Sequence, residues 1–235
     1  MNPVCFDWQL LCTIRKVYSI VSYSFPTFII DVSPAAAPSD TIVAMKAAQK
    51  YIFQIACPIL ILMDTISCIL NLIVLSQKAL RKNPCSIYFI AYNVANLLYM
   101  YSSLLALALS LGYNSYDPSI YILVLCRLRL YATVLFNMLS PFYLILTSID
   151  RILVTSSNDR TRQRSTRCFA CLCIIIGTLF WALFHSHALI SSNIQKLAPN
   201  VFLCYFQQGS HLIFVSYYSI IKETSTLLLM IICGL

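Results

Sequence analysis

Apolar residues fill this chain in long blocks, and the charged residues fall mostly between the blocks. Five blocks are long enough to be membrane helices, at about residues 51–75, 86–111, 120–154, 168–190 and 211–235. A helix rises about 1.5 Å per residue, so about 20 apolar residues cross the roughly 30 Å of hydrocarbon in a bilayer. The third block exceeds that length and must tilt or project beyond the lipid. Long unbroken runs predict helices, because a membrane barrel is built from short strands of alternating polarity. The expected fold is therefore an all-α membrane protein, a bundle of transmembrane helices.

Composition agrees with the pattern. The chain has 235 residues, of which 60% are hydrophobic and 10% charged, and its mean hydropathy is +0.79. Soluble domains carry about 25% charged residues. A net charge of +8 raises the question of nucleic acid, but the basic residues do not gather on one soluble face. They sit in the linkers, where positive charge reports membrane orientation. Lys78, Arg81 and Lys82 lie between the first and second blocks, and Arg160, Arg162, Arg164 and Arg167 between the third and fourth. The linker 112–119 has Asp117 and no basic residue, and 191–210 has Lys196 alone. Positive-inside asymmetry then places the first and third linkers in the cytoplasm and the segment before the first block outside.

Residues 1–50 support two readings. Arg15 and Lys16 precede the apolar stretch 17–30, and Ala35, Ala36 and Ala37 follow it, in the manner of a signal peptide. Pro26 within the run and Asp7 in the leader suit an extracellular tail instead.

Eleven cysteines would suggest a disulfide scaffold in a small secreted domain, but here most lie inside apolar blocks. Cys57, Cys68, Cys168, Cys171, Cys173 and Cys233 are expected to be small buried hydrophobes rather than metal ligands. No phosphate-binding glycine loop, paired-histidine zinc motif or nucleophile-base constellation is present, so neither an enzyme nor a cofactor is expected. His185 and His187, near the outer end of the fourth block, are expected at the membrane interface. Polar residues within lipid are costly and face the bundle interior. Asp64, Asn71, Asn96 and Ser140 are the candidates here, and Asp64 is expected to be protonated or paired with an amide.

Two landmarks bracket the third block. Cys126 stands near its start, and Asp150-Arg151-Ile152 stands 24 residues later at its end, about 36 Å along a helix. This arrangement resembles the third span of rhodopsin-like G-protein-coupled receptors, which carries an outer cysteine and an inner Asp-Arg-Tyr triplet. The resemblance extends to other blocks. Asn71 matches the first-span asparagine, and Asn96 stands where the family usually has aspartate. Ser140 matches a third-span serine near a sodium pocket, and Trp181 the fourth-span tryptophan. It implies a receptor in the plasma membrane with an extracellular N-terminus, membrane lipid around it and a heterotrimeric G protein as partner.

By that resemblance Arg151 is the switch residue that meets the G protein, Asp150 restrains it at rest, and Ile152 replaces the usual tyrosine. Cys126 pairs with Cys204 on the oxidising side, with Cys5 and Cys12 as competitors. An amide at Asn96 offers no fixed negative charge, so a strong sodium site is not expected. Thr133 falls where amine receptors carry aspartate, which points to a peptide or other non-amine ligand. Arg127 and Arg129 near the outer mouth suit either a carboxylate on that ligand or lipid headgroups.

The resemblance covers about residue 50 onward and supplies five of the family's seven spans. The Cys-Trp-x-Pro and Asn-Pro-x-x-Tyr motifs of the last two do not occur, and the usual fifth-span proline is missing. A receptor present as its first five helices is one expectation. A non-signalling membrane protein that pairs with full-length receptors is the second. A transporter or channel would show inverted repeats or paired broken helices, which this sequence lacks.

Overall fold

The structure, a computed structural model, describes residues 47–48, 50–78, 80, 83–106, 108–109, 113, 121–155, 166–198, 201–206, 217–218, 220–221, 224–225 and 228. The chain divides into two compact units. Of the first, Met1–Ala48 with Leu235, only residues 47–48 are described. The second, Gln49–Gly234, holds every element below. The two readings of residues 1–50 thus lie almost wholly outside the described residues, as does most of the expected span 211–235.

A π-helical turn, Ile52–Ala56, runs directly into helix α1, Cys57–Leu75. Pro58 is tolerated in the first turn, where a missing N–H leaves no bond unmade. Helix α2, Pro84–Tyr99, likewise opens on proline and continues as a π-helical turn, Met100–Leu105. Helix α3, Leu123–Thr155, is 33 residues long with Pro141 inside it. Helix α4, Arg167–Phe184, begins at Thr166, whose hydroxyl accepts the Phe169 N–H. A turn at His185-Ser186 leads to the short helix α5, His187–Ser191. An antiparallel hairpin follows, β1 Ser192–Ala198 and β2 Val201–Phe206, with an irregularity between Lys196 and Ala198. The all-helical expectation omitted this hairpin.

Among the described residues three helices are long and apolar enough to cross a membrane: Ile52–Leu75, Leu123–Val154 and Arg167–Ser191. Hydroxyls within them bond their own backbone. Thr65 donates to the Ile61 carbonyl, Thr147 to Tyr143, Ser148 to Leu144 and Thr178 to Ile174. This satisfies polar side chains where lipid offers no partner.

α2 and α3 form the centre of the bundle, and α2 also touches α1 and α4. Burial follows this order. α2 buries Ser86, Tyr88, Tyr92, Asn93, Ala95, Asn96 and Tyr99, residues that recur at helical spacing on one broad face. α1 buries only Cys57, Ile61 and Cys68, and α4 only Ala170 and Gly177, each a narrow stripe at one-turn or two-turn intervals. The rest of these flanking helices presents Ile, Leu, Met and Phe outward, as lipid-facing surfaces do.

Small residues allow the close approach of α4 to α3. A Cβ built on Gly177 would overlap the Phe142 ring, so only glycine fits with that ring in place. One residue along each helix, the Tyr143 hydroxyl lies 2.7 Å from the Thr178 hydroxyl. Small residues at such crossings let dispersion and side-chain hydrogen bonds hold helices together where lipid removes any hydrophobic drive.

The cysteines divide against expectation. Cys57 and Cys68 are buried, but Cys168 and Cys171 are exposed and Cys173 half-buried. α4 is a flanking helix that buries one narrow stripe, and these thiols lie off it. Cys233 lies outside the described residues. His185 caps the end of α4. It is fully buried, stacked on Trp181 with ring centroids 5.8 Å apart and edge-on to Phe184 at 5.2 Å.

Candidate functional site

The chemistry lies at the two ends of α3 and in a polar layer between α1 and α2. At one end Cys126 is buried and joined to Cys204 by a disulfide, with Cα atoms 5.6 Å apart. Cys204 pairs across the hairpin with Ile194, so the bridge fastens β2, and through it β1, to the head of α3. Arg127 adds a second tie, donating from Nε to the Ser192 carbonyl at 3.3 Å. Ser192 in turn donates its hydroxyl to the Ala188 carbonyl within α5. Arg127 therefore positions the hairpin, a role its sequence context did not suggest. Arg129 is half-buried. Thr133 is buried one turn further on and donates to the Ser102 carbonyl of the π-helical turn after α2, at 3.4 Å.

At the other end the two members of the dipeptide separate. Asp150 is buried, 4% exposed, while Arg151 and Ile152 are exposed. The Arg151 guanidinium lies over the Phe89 ring of α2, 5.8 Å from its centroid. A cation on an aromatic face is attracted by the ring quadrupole. Phe89 had no signal in the sequence beyond its place in an apolar block.

The polar layer joins residues that the sequence left apart. Asn96 on α2 donates from Nδ2 to Asp64 Oδ2 on α1 at 2.8 Å. Cys68 completes the group. Its thiol lies 3.5 Å from the same amide nitrogen and 3.9 Å from the same carboxylate oxygen. Asp64 is half-buried, whereas Asn96 and Cys68 are buried. Amide pairing is one of the two states expected of Asp64, and the helix crossing supplies the partner. Asn71 does not join this group, since it donates back to the Ser67 carbonyl of its own helix. Ser140 is fully buried on α3. Asn93 and Asn137 are buried too and were passed over in the sequence, Asn93 donating to the Phe89 carbonyl at 2.7 Å. Trp181 is half-buried and edge-on to Phe142, Phe180 and Phe184. Its indole fills the α3–α4 contact, as a packing tryptophan does.

Among the described residues no group of three His, Cys, Asp or Glu side chains is placed to hold a metal ion. Comparison with models of known families finds no match, and comparison with curated proteins finds none either.

Proposed function

We propose that this chain carries the transmembrane domain of a rhodopsin-like G-protein-coupled receptor in the plasma membrane, with its N-terminus outside. It answers a peptide or other non-amine extracellular ligand and signals to a heterotrimeric G protein. One observation carries the reading. A single long helix has a disulfide-anchored hairpin at one end and a buried Asp150 beside an exposed Arg151 at the other. The expected bundle has five spans, three of them the helices long and apolar enough to cross and the other two from the blocks 86–111 and 211–235. Membrane orientation rests on the basic linkers, which put the Arg151 end in the cytoplasm.

In this mechanism the hairpin forms the ligand mouth with Arg129 and Thr133, and Arg127 holds it in place. The ligand shifts α3 relative to α2, Arg151 leaves the Phe89 face, and the guanidinium becomes available to the G protein. Asp150 restrains the resting position. The test reconstitutes the protein in lipid discs and measures nucleotide exchange on purified G protein. Arg151→Ala abolishes exchange and largely spares ligand binding, whereas Asp150→Asn raises basal exchange. Unaltered exchange in Arg151→Ala sinks the reading. Orientation is checked with an impermeant thiol label on intact cells. Ser115→Cys is labelled and Ser165→Cys is protected, and the reverse result overturns the topology.

A further inference from the structure

We propose that Cys168 and Cys171 are S-acylation sites, at which a long-chain fatty acid is attached as a thioester to the membrane-interface end of α4. The proposal goes beyond the receptor reading and rests on it only for the side of the membrane. Cysteine is among the most buried residue types, because it behaves as a small hydrophobe. Cys57 and Cys68 follow that rule, but Cys168 and Cys171 expose their thiols. On an exposed residue of a flanking helix, the reactivity of the thiol is what most distinguishes cysteine from alanine or serine.

Placement fits that chemistry. The two residues are three apart in the first turns of the helix and so share a side, one helical turn from each other. Arg167 beside them is exposed at the start of the candidate membrane span, where a guanidinium reaches lipid headgroups. Further into the span the surface continues with exposed Leu172, Ile175, Ile176 and Leu179. An acyl chain attached at the first turn would run down this apolar face into the hydrocarbon. A thiol at the membrane boundary, with an apolar strip below it, is the arrangement that reversible lipidation uses.

The donor is a long-chain acyl-coenzyme A. The cysteine sulfur gives up its proton and attacks the donor's thioester carbonyl. A new C–S bond forms, the C–S bond to coenzyme A breaks, and coenzyme A leaves as its thiol, taking up the proton. No electrons are exchanged with an external oxidant or reductant. The chain gains a second apolar anchor beside the basic linker 160–167, which strengthens the hold of that linker on the membrane surface.

The test uses the full chain expressed in animal cells. Free thiols are blocked, thioesters are cleaved with hydroxylamine, and the thiols so released are tagged with a maleimide polymer that shifts gel mobility. Wild type acquires a hydroxylamine-dependent tag, Cys173→Ser keeps it, and Cys168→Ser/Cys171→Ser loses it. Mass spectrometry of the peptide spanning 168–173 from unmutated chain finds an acyl group on Cys168 or Cys171, so the result does not depend on how the variants fold. An unmodified peptide, or a tag retained by the double variant, overturns the proposal. The Ser165→Cys labelling separates the two failures. A protected Ser165→Cys with an unmodified peptide overturns acylation alone. A labelled Ser165→Cys with an unmodified peptide overturns acylation and the orientation together.

Discussion

The two ends of α3 are held by different kinds of bond. At the Cys126 end a covalent bridge and the Arg127–Ser192 hydrogen bond fasten the hairpin to the helix. At the Arg151 end an exposed guanidinium rests on the Phe89 ring. The first arrangement is covalent, and the second includes a cation attracted to an aromatic face. Between the two, the Gly177–Phe142 contact and the Asp64–Asn96 pair fix α3 and α1 against their neighbours.

The sharpest way to break the contrast is to remove the bridge. The disulfide spans 78 residues of sequence, and closing a loop of that size contributes roughly 4 to 5 kcal/mol in the chain-entropy picture. Cys126→Ser/Cys204→Ser is expected to lose most surface expression and to melt far below wild type when reconstituted in lipid discs. Peptide mapping of wild type without reductant finds the Cys126–Cys204 pair, and two free thiols there would refute the pairing.

Next comes the crossing of α3 and α4. Gly177→Val drives two methyl groups toward the Phe142 ring and is expected to cost about 1 to 3 kcal/mol by overpacking. Phe142→Ala in the same chain opens the space, so the two substitutions together cost less than their sum. Additive losses in thermal melts would show that the ring does not set the approach.

The polar layer ranks third. Asp64→Leu leaves the buried Asn96 amide without its carboxylate acceptor, with only the weak Cys68 sulfur remaining on α1, and is expected to cost about 1 to 2 kcal/mol. Asp64→Asn keeps an acceptor oxygen within reach and is expected to stay close to wild type. Equal melting temperatures for the Leu and Asn variants would remove the pair from the account.

The exposed cation–ring contact that Arg151→Ala removes is worth about 0.5 to 1 kcal/mol, and its loss is expected to be the smallest of these effects on stability. Its effect on nucleotide exchange is expected to be the largest of all. A large loss of stability with unchanged exchange would invert the comparison.

Much of this was legible in the sequence, and the remainder fails for identifiable reasons. Block lengths gave five candidate spans, and among the described residues three helices are long and apolar enough to cross, because continuous apolar runs are what lipid requires. The boundaries moved little, with α2 opening at Pro84 rather than Ser86 and α4 at Arg167 rather than Cys168. The Cys126–Cys204 pairing was expected from the receptor resemblance together with the side of the membrane, which alone left Cys5 and Cys12 as competitors. The hairpin 192–206 was missed, since the linker 191–210 was read by its charge alone, and tertiary ties to Arg127 and Cys126 fix it. The Asp64–Asn96 pair joins residues 32 apart on two helices, and periodicity fixes a face without fixing which neighbour it meets. The outward thiols of Cys168 and Cys171 were misread for the same reason. Hydropathy cannot separate a residue facing lipid from one facing protein when both surroundings are apolar.

The crowding of Phe142 on Gly177 has a mechanical consequence. Cys126 stands about 24 Å from Phe142 along the axis of α3, and Arg151 about 14 Å on the other side. With α4 as the bearing surface, the helix is a lever with unequal arms. A sideways push of about 1 Å at the hairpin end swings the Arg151 end by about 0.6 Å in the opposite direction, if the rod stays straight. Pro141, next to the pivot, removes one backbone donor there and softens the rod where bending does most to change the ratio.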